Sequence, residues 1–288
     1  MAEMISIDPA KCTQCGLCVQ VCFLNYEKGP DGKVRPKEEL ACCAACGHCL
    51  AVCPADAISH PLLPQGAGEP LRESDRPSYE QYLGFLKMRR SRREFKDQPV
   101  PRELIDKLLA AGVQAPNGLN RHNVCYTVVT DRAVLGELSS RALAMTEKLM
   151  ALLRNPFGRA FIKLFRPGLC EEMSFFFPLM DQLAGLKGRD LICYGAPCAI
   201  LVHTPATDLC GSEDAVYAAA NIQYAAETIG LGTCVIGFIT GPVNEDKGLK
   251  ALVRLPAGHK VHTSLVVGYP KFRYIKAAAK APPQADYI

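Results

Sequence analysis

Cys12-Thr13-Gln14-Cys15-Gly16-Leu17-Cys18-Val19-Gln20-Val21-Cys22 and Cys43-Ala44-Ala45-Cys46-Gly47-His48-Cys49-Leu50-Ala51-Val52-Cys53-Pro54 are two copies of one pattern, C-x2-C-x2-C-x3-C, set 31 residues apart. Gly16 and Gly47 obey the same displacement, as do Val21 and Val52. The chain has 15 Cys in 288 residues, nine of them before residue 54 and six scattered afterwards. Two compositionally different pieces are therefore joined. No charged-then-apolar leader opens the chain, since Glu3 and Asp8 stand among its first residues, so a cytoplasmic protein is expected. There thiols stay reduced, and dense cysteine signals metal rather than disulfides.

Three thiolates spaced two residues apart force a tight loop whose backbone N–H groups turn inward, and glycine at positions 16 and 47 leaves room close to the main chain. The doubled pattern is similar to that of bacterial ferredoxins with two [4Fe–4S] clusters, in which the fourth Cys of each run serves the other cluster. That resemblance, over residues 1–60, implies Cys12, Cys15, Cys18 and Cys53 for one cluster and Cys43, Cys46, Cys49 and Cys22 for the second. Structural zinc is the alternative reading, but zinc has no use for a third Cys at x2 and a fourth at x3, twice over. Phe23 stands where the first run would often carry Pro, and Cys42 matches nothing in the other run. His48, between ligands, is read as tuning or shielding rather than ligating. Short β-like stretches at 4–8 and 57–60 flank the runs and are expected to pair.

Residues 61–78 hold Pro61, Pro64, Gly66, Gly68, Pro70 and Pro77 without an apolar period and read as a linker. Residues 79–288 then form the larger domain. Pro101 reads as the first position of a helix whose Leu104, Ile105, Leu108 and Leu109 share a face. The Ala-rich stretch 214–229, stopped by Gly230, reads as a second helix. Strands are expected at 124–129, 198–203, 233–239 and 264–267. No G-x-G-x-x-G lies between a strand and a helix, which removes a built-in Rossmann site. The uncharged stretches are too short and too interrupted for a bilayer span. At 49% apolar and 22% charged the chain can bury a core, and a net charge of +4 is too mild to imply a polyanion partner.

Lys87-Met88-Arg89-Arg90-Ser91-Arg92-Arg93 places five cations in seven residues. Alone, such a run reads as a solvated helix face, a phosphate fork or a short nucleic-acid contact. Its company changes the reading. Arg89 to Arg93 with Phe95, then Ala115-Pro116-Asn117-Gly118-Leu119-Asn120, Gly195-Ala196-Pro197, Gly230-Leu231-Gly232-Thr233-Cys234-Val235-Ile236-Gly237 and Gly268-Tyr269-Pro270-Lys271 with Lys276 follow one another in order. Together they resemble the nitroreductase family of FMN flavoproteins over residues 85–280.

The resemblance implies an α+β fold, a mixed sheet flanked by helices, and an obligate homodimer with FMN at the subunit interface. It assigns Arg89, Ser91 and Arg93 to the FMN phosphate, with Arg90 beside them and Lys276 closing the site; Arg273 and Lys280 are further candidates. Pro116, Asn117 and Asn120 would meet the flavin of the neighbouring subunit. Ile236 and Gly237 would offer backbone N–H groups to the ring. The chain departs from the family in having no Trp, with Val124 and Val235 at those places, and in Asn117 for Ser and His122 for Gln.

Six of the eleven Phe lie within 157–177 (Phe157, Phe161, Phe165, Phe175, Phe176, Phe177). They read equally as an aromatic cap over the flavin or as core and dimer packing. Cys125, Cys170, Cys193, Cys198, Cys210 and Cys234 show no ligand spacing and read mostly as buried small hydrophobes. The expected function is transfer of electrons through two [4Fe–4S] clusters to FMN and on to an electron-poor organic acceptor: a nitroaromatic, quinone or enone. External ferredoxin and NAD(P)H are the candidate donors, and no side chain in the motifs is assigned as acid or base. A pure electron carrier serving a partner protein is the alternative. Residues 1–60 carry net charge −2 against +6 on the remainder.

Overall fold

A computed structural model describes residues 5–37, 43–63, 68–165, 168, 170–171, 176–178 and 188–288. The chain divides into two compact units, one of residues 1–78 with 119–121 and one of residues 79–118 with 122–288.

In the first unit the repeat of the sequence is also a repeat of the backbone. Gly16 and Gly47 take φ of 76° and 73°, and Gln14 and Ala45 take 59° and 48°. Only glycine occupies this left-handed region without steric cost, so the glycines are where the turn demands them. Each loop then opens a short helix, α1 (Leu17–Val21) and α2 (His48–Ala51). The flanking stretches pair as expected: β1 (Ser6–Ile7) runs antiparallel to β4 (Ile58–Ser59), Ser6 opposite Ser59 and Ile7 opposite Ile58. Between the loops a hairpin of β2 (Tyr26–Lys28) and β3 (Val34–Pro36) was not foreseen. Ile5, Tyr26, Cys49 and Ile58 are its buried centre. So small a core is sparse support for a fold, and ligated metal is the usual supplement in units of this size.

The second unit is built on the sheet β5 (Cys125–Val129), β6 (Cys198–Pro205), β7 (Gly232–Val235) and β8 (His259–Gly268), in the order β5-β6-β8-β7. All these strands pair antiparallel, and the parallel component is a bridge between Ser91 and Thr233 at the β7 edge. β6 is covered on both sides. Ala199 and Leu201 enter one core, while Cys198, Ile200 and Val202 enter the other, as a period of two requires. Each such Leu or Ile stabilises the fold by about 1.5–3 kcal/mol when removed from water. One face receives α4 (Arg102–Val113) through Ile105 and Leu108, and α7 (Gly211–Thr228) through Ala215, Ala218, Ala219, Ile222 and Ala226. The other receives α5 (Arg132–Arg154) and α8 (Gly237–Glu245).

Local chemistry sets the ends. Asp131 caps α5 by accepting from Ala133 N at 2.8 Å and Val134 N at 3.2 Å. Pro101 precedes α4 as its cap instead of forming its first turn. The strand expected at 233–239 stops at Val235, because Gly237 opens α8; the strand expected at 264–267 extends back to His259. α3 (Tyr79–Met88) ends before the arginine run, so residues 89–95 are not a helix face; Ser91 and Phe95 form isolated bridges to Thr233 and Pro270. A Cβ on Gly268 would lie 2.6 Å from the rigid Pro197 ring, which explains why a glycine opens the Gly268-Tyr269-Pro270 motif. α6 (Pro156–Phe165) leaves Phe157, Phe161 and Phe165 exposed, whereas Phe176 packs edge-on against Phe238. Phe175 lies outside the described residues.

Candidate functional site

In the first unit Cys12, Cys15 and Cys18 of the first run line one cavity with Cys53 of the second, Gly16 and Ala57. Cys49 is buried beside Cys22 and Cys46, whose negative forms, together with burial as the larger cause, push its thiol up. Three members of the second expected set, Cys22, Cys46 and Cys49, thus act on one another, and no described cysteine is in a disulfide.

The donor set suits iron–sulfur clusters beyond the sulfurs themselves. Gln14 Nε2 donates to Cys12 Sγ at 3.4 Å, Asn25 Nδ2 to Cys22 Sγ at 3.7 Å and Ala57 N to Cys53 Sγ at 3.3 Å. His60 Nε2 lies 3.3 Å from Cys43 Sγ. N–H donors on ligand sulfurs stabilise the reduced, more negative state and so raise a cluster's potential. Gln14 also accepts from Val34 N at 2.6 Å, which pins the loop to the hairpin. Sequence reasoning missed Gln14, Asn25 and His60, since nothing in their spacing marks them. The Asn120 amide, assigned from sequence to a flavin, is committed within this unit to the carbonyls of Ala44 and Ala45 at 3.0 and 2.9 Å.

In the second unit the non-helical run sorts the arginines. Arg89, Ser91 and Arg93 all act on the Cys234 thiol in β7: burial pushes that thiol up, and the two guanidinium groups and the hydroxyl draw it back. Arg93 also lies over the Tyr194 ring at 6.0 Å. Arg89 Nη1 donates to Gln223 Oε1 at 3.4 Å, and two guanidinium groups with a hydroxyl in this neighbourhood are donor types suited to a phosphate. Thr233 Oγ1, on the strand bridged to Ser91, is buried without a hydrogen-bond partner. These observations fit an anionic cofactor held at this edge.

Arg90 and Lys276 lie elsewhere. They line a cavity of about 600 Å³ with Arg92, Lys96, Lys271 and Arg273. Arg89 acts on Glu227 of this cavity as well as on Cys234, so it stands between the two spots. Lys280 is exposed in the C-terminal tail. Pro116 and Asn117 line a small cavity with His122, Val124 and Tyr126, where Asn117 Oδ1 accepts from His122 N at 3.1 Å. Gly118 N donates to both oxygens of Asp214, at 2.9 and 3.1 Å, which ties this loop to α7.

The two expected ring donors differ in their backbone partners. Ile236 N already donates to Ser264 O at 2.8 Å, as the continuation of the β7–β8 ladder. Gly237 is exposed at the start of α8, where helix N–H groups have no intrahelical acceptor. Of the remaining cysteines, Cys193 and Cys198 are core thiols pushed up to about 12 by burial.

Fold and donor sets together define an α+β oxidoreductase domain joined to a cluster-binding unit. Residues 86–269 match the nitroreductase family, and residues 4–54 match the 4Fe-4S dicluster domain. The chain belongs to the nitroreductase family and carries an N-terminal 4Fe-4S dicluster domain. It is 29% identical over 191 residues to an FMN reductase [NAD(P)H] of Bacillus subtilis (strain 168), a match covering 65% of each chain. Among solved structures, an FMN-dependent nitroreductase from Clostridium difficile R20291 superposes with a TM-score of 0.53 at 22% identity, covering 72% of this chain and 99% of that one. A nitroreductase with bound FMN from Bacteroides fragilis NCTC 9343 gives 0.52 at 20% identity, covering 72% and 97%. Both share the fold. No helix among the described residues is long and apolar enough to cross a membrane.

Proposed function

We propose that the protein is an FMN-dependent iron–sulfur oxidoreductase that passes electrons through two [4Fe–4S] clusters to FMN and on to an electron-poor organic acceptor of the nitroaromatic, quinone or enone type. The observation that carries this reading is the coexistence, in one chain, of a 4Fe-4S dicluster domain, with Cys12, Cys15, Cys18 and Cys53 lining one cavity, and a nitroreductase-family domain that contains Arg89, Ser91 and Arg93. When bound, FMN exchanges electrons singly with iron–sulfur clusters and in pairs with organic substrates, which makes it the converter such a pairing needs.

The chain's own residues bind and orient. Arg89, Ser91 and Arg93 would hold the phosphate; Gly237 would offer its N–H to the ring; Pro116 and Asn117 would shape the pocket of a second subunit in a homodimer. The relative's name, FMN reductase [NAD(P)H], supports FMN and admits a nicotinamide donor beside an external ferredoxin. Residues 1–60, 61–78 and 79–288 serve as cluster domain, linker and flavin domain.

The test is an anaerobic acceptor screen on the purified holoprotein with a one-electron donor. Turnover of at least one of the three acceptor types, dependent on bound FMN, is expected. Slow reaction with every small acceptor, together with tight complexation by a protein partner, overturns the enzymatic reading in favour of a carrier.

A further inference from the structure

Away from the cluster loops and the arginine run, three neighbouring strands assemble a set of metal-type ligands. Cys125 lies directly opposite His203 in the β5–β6 register, and His259 lies opposite Pro205 in the β6–β8 register. His203 and Pro205 share a sheet face, so His259 is the diagonal neighbour of His203. A bulge brings this about: Val202 pairs with Thr263 but His203 with Val261, so His262 is the extra residue and the end of β8 is re-aimed.

The side chains follow the backbone. The Cys125 sulfur and one ring nitrogen from each of His203 and His259 all lie within 4.8 Å of one another. The two Nδ1 atoms are 2.9 Å apart. Thr127 Oγ1 stands 3.1 Å from His203 Nε2, one position along β5 on the same face. His203 is buried, while Cys125 and His259 are partly exposed and leave a route from solvent.

We propose that Cys125, His203 and His259 form a site for one zinc-class divalent cation, separate from the cluster ligands. One thiolate and two imidazoles are a borderline-soft set that suits Zn2+, with a fourth position left to solvent. Thr127 fixes the ring: by accepting from Nε2–H it leaves the His203 Nδ1 lone pair free, the arrangement in which a metal-bound histidine donates its other nitrogen to a polar neighbour. In the metal-free chain His259 Nδ1–H then donates to His203 Nδ1. On binding, His259 carries its proton on Nε2 instead, and the Cys125 thiol releases one proton to solvent. Charge and protons balance with no redox change. The cation would tie β5, β6 and β8 together at one end of the sheet.

The experiment is zinc titration of the anaerobic holoprotein, with zinc and iron measured together after desalting and melting temperature followed in parallel. Stoichiometric zinc uptake with iron unchanged, and a rise in melting temperature, is expected. Cys125→Ser and His259→Gln lose more than about 100-fold in zinc affinity, and Thr127→Val loses roughly 10-fold, as an outer partner does. Both ligand variants retain iron and the metal-free melting temperature, which separates lost binding from lost folding. No retained zinc, zinc gained in proportion to iron lost, or equal uptake by wild type and both ligand variants overturns the site.

Discussion

Arg92 and Glu227 face each other at 3.7 Å (Nη2 to Oε1) with only 10% of either side chain exposed. Arg92 also donates to Phe272 O at 3.2 Å and lies 3.9 Å over the Tyr274 ring, so this one guanidinium joins α7 to the C-terminal segment. Arg92 Nε and Glu227 Oε1 have no hydrogen-bond partner, which leaves the pair incompletely satisfied. Removing one partner of such a pair is worse than removing both. Arg92→Ala should therefore lower unfolding stability by about 3 kcal/mol in denaturant titrations, and Arg92→Ala/Glu227→Gln should recover part of the loss.

The same carboxylate sets a pH dependence. Burial raises the Glu227 carboxyl above its ordinary 4.5, and the Arg92 charge only partly opposes it. The native state then binds this proton more tightly than the unfolded chain does. Its contribution to stability falls as pH rises from 4.5 through the raised native value, and the cost is fully in place above it. Urea midpoints measured across that window should decline less steeply in Glu227→Gln than in wild type, by at most about 1.4 kcal/mol per pH unit.

Flavin retention should distinguish the two arginine groups. Arg89→Ala and Arg93→Ala each remove a cation that acts on Cys234 and should weaken FMN binding by about 10- to 100-fold, the equivalent of one charge-assisted hydrogen bond. Arg90→Ala, on the other cavity, should change it by less than about 3-fold. Fluorescence titration of flavin-stripped protein reads all three; equal losses would reunite the groups.

Cys46→Ala addresses the path of electrons. In the proposed assignment it removes a ligand from the Cys22–Cys43–Cys46–Cys49 set, so about half of the iron should be lost while FMN stays bound. Flavin bleaching by an external one-electron donor should then slow by orders of magnitude. Unchanged bleaching would place the clusters off the path.

Gly268→Ala tests the packing of two motifs. The new methyl would meet Pro197 Cδ at 2.6 Å and Phe95 at 2.9 Å, and the proline ring has no rotamer with which to yield. A loss of about 1–3 kcal/mol in thermal or denaturant unfolding is expected.

The cluster loops were legible in the sequence because their ligands are local and periodic: a displacement of 31 residues recurs in cysteines, glycines and backbone angles alike. The strands of the larger sheet and the Ala-rich helix α7 were legible from composition, though their pairing order and the end of β7 were not, since Ile236 still pairs as a strand residue while Gly237 begins a helix. The non-helical path of the arginine run was hidden because a dense run of cations carries no helix or strand period of its own. Cys125, His203 and His259 were wholly illegible. They are 78 and 56 residues apart along the chain and become neighbours only through strand register and a bulge.

Gln14 and Ala45 stand in left-handed backbone conformations without being glycine, at matching places in the two cysteine loops. Each costs on the order of 1 kcal/mol that ligated sulfur must offset. Oxygen attack on the inorganic core therefore releases a wound spring as well as a ligand. Protein aged in air should need more than iron and sulfide to recover, because the vacated loops have relaxed away from the shape that grips a cube.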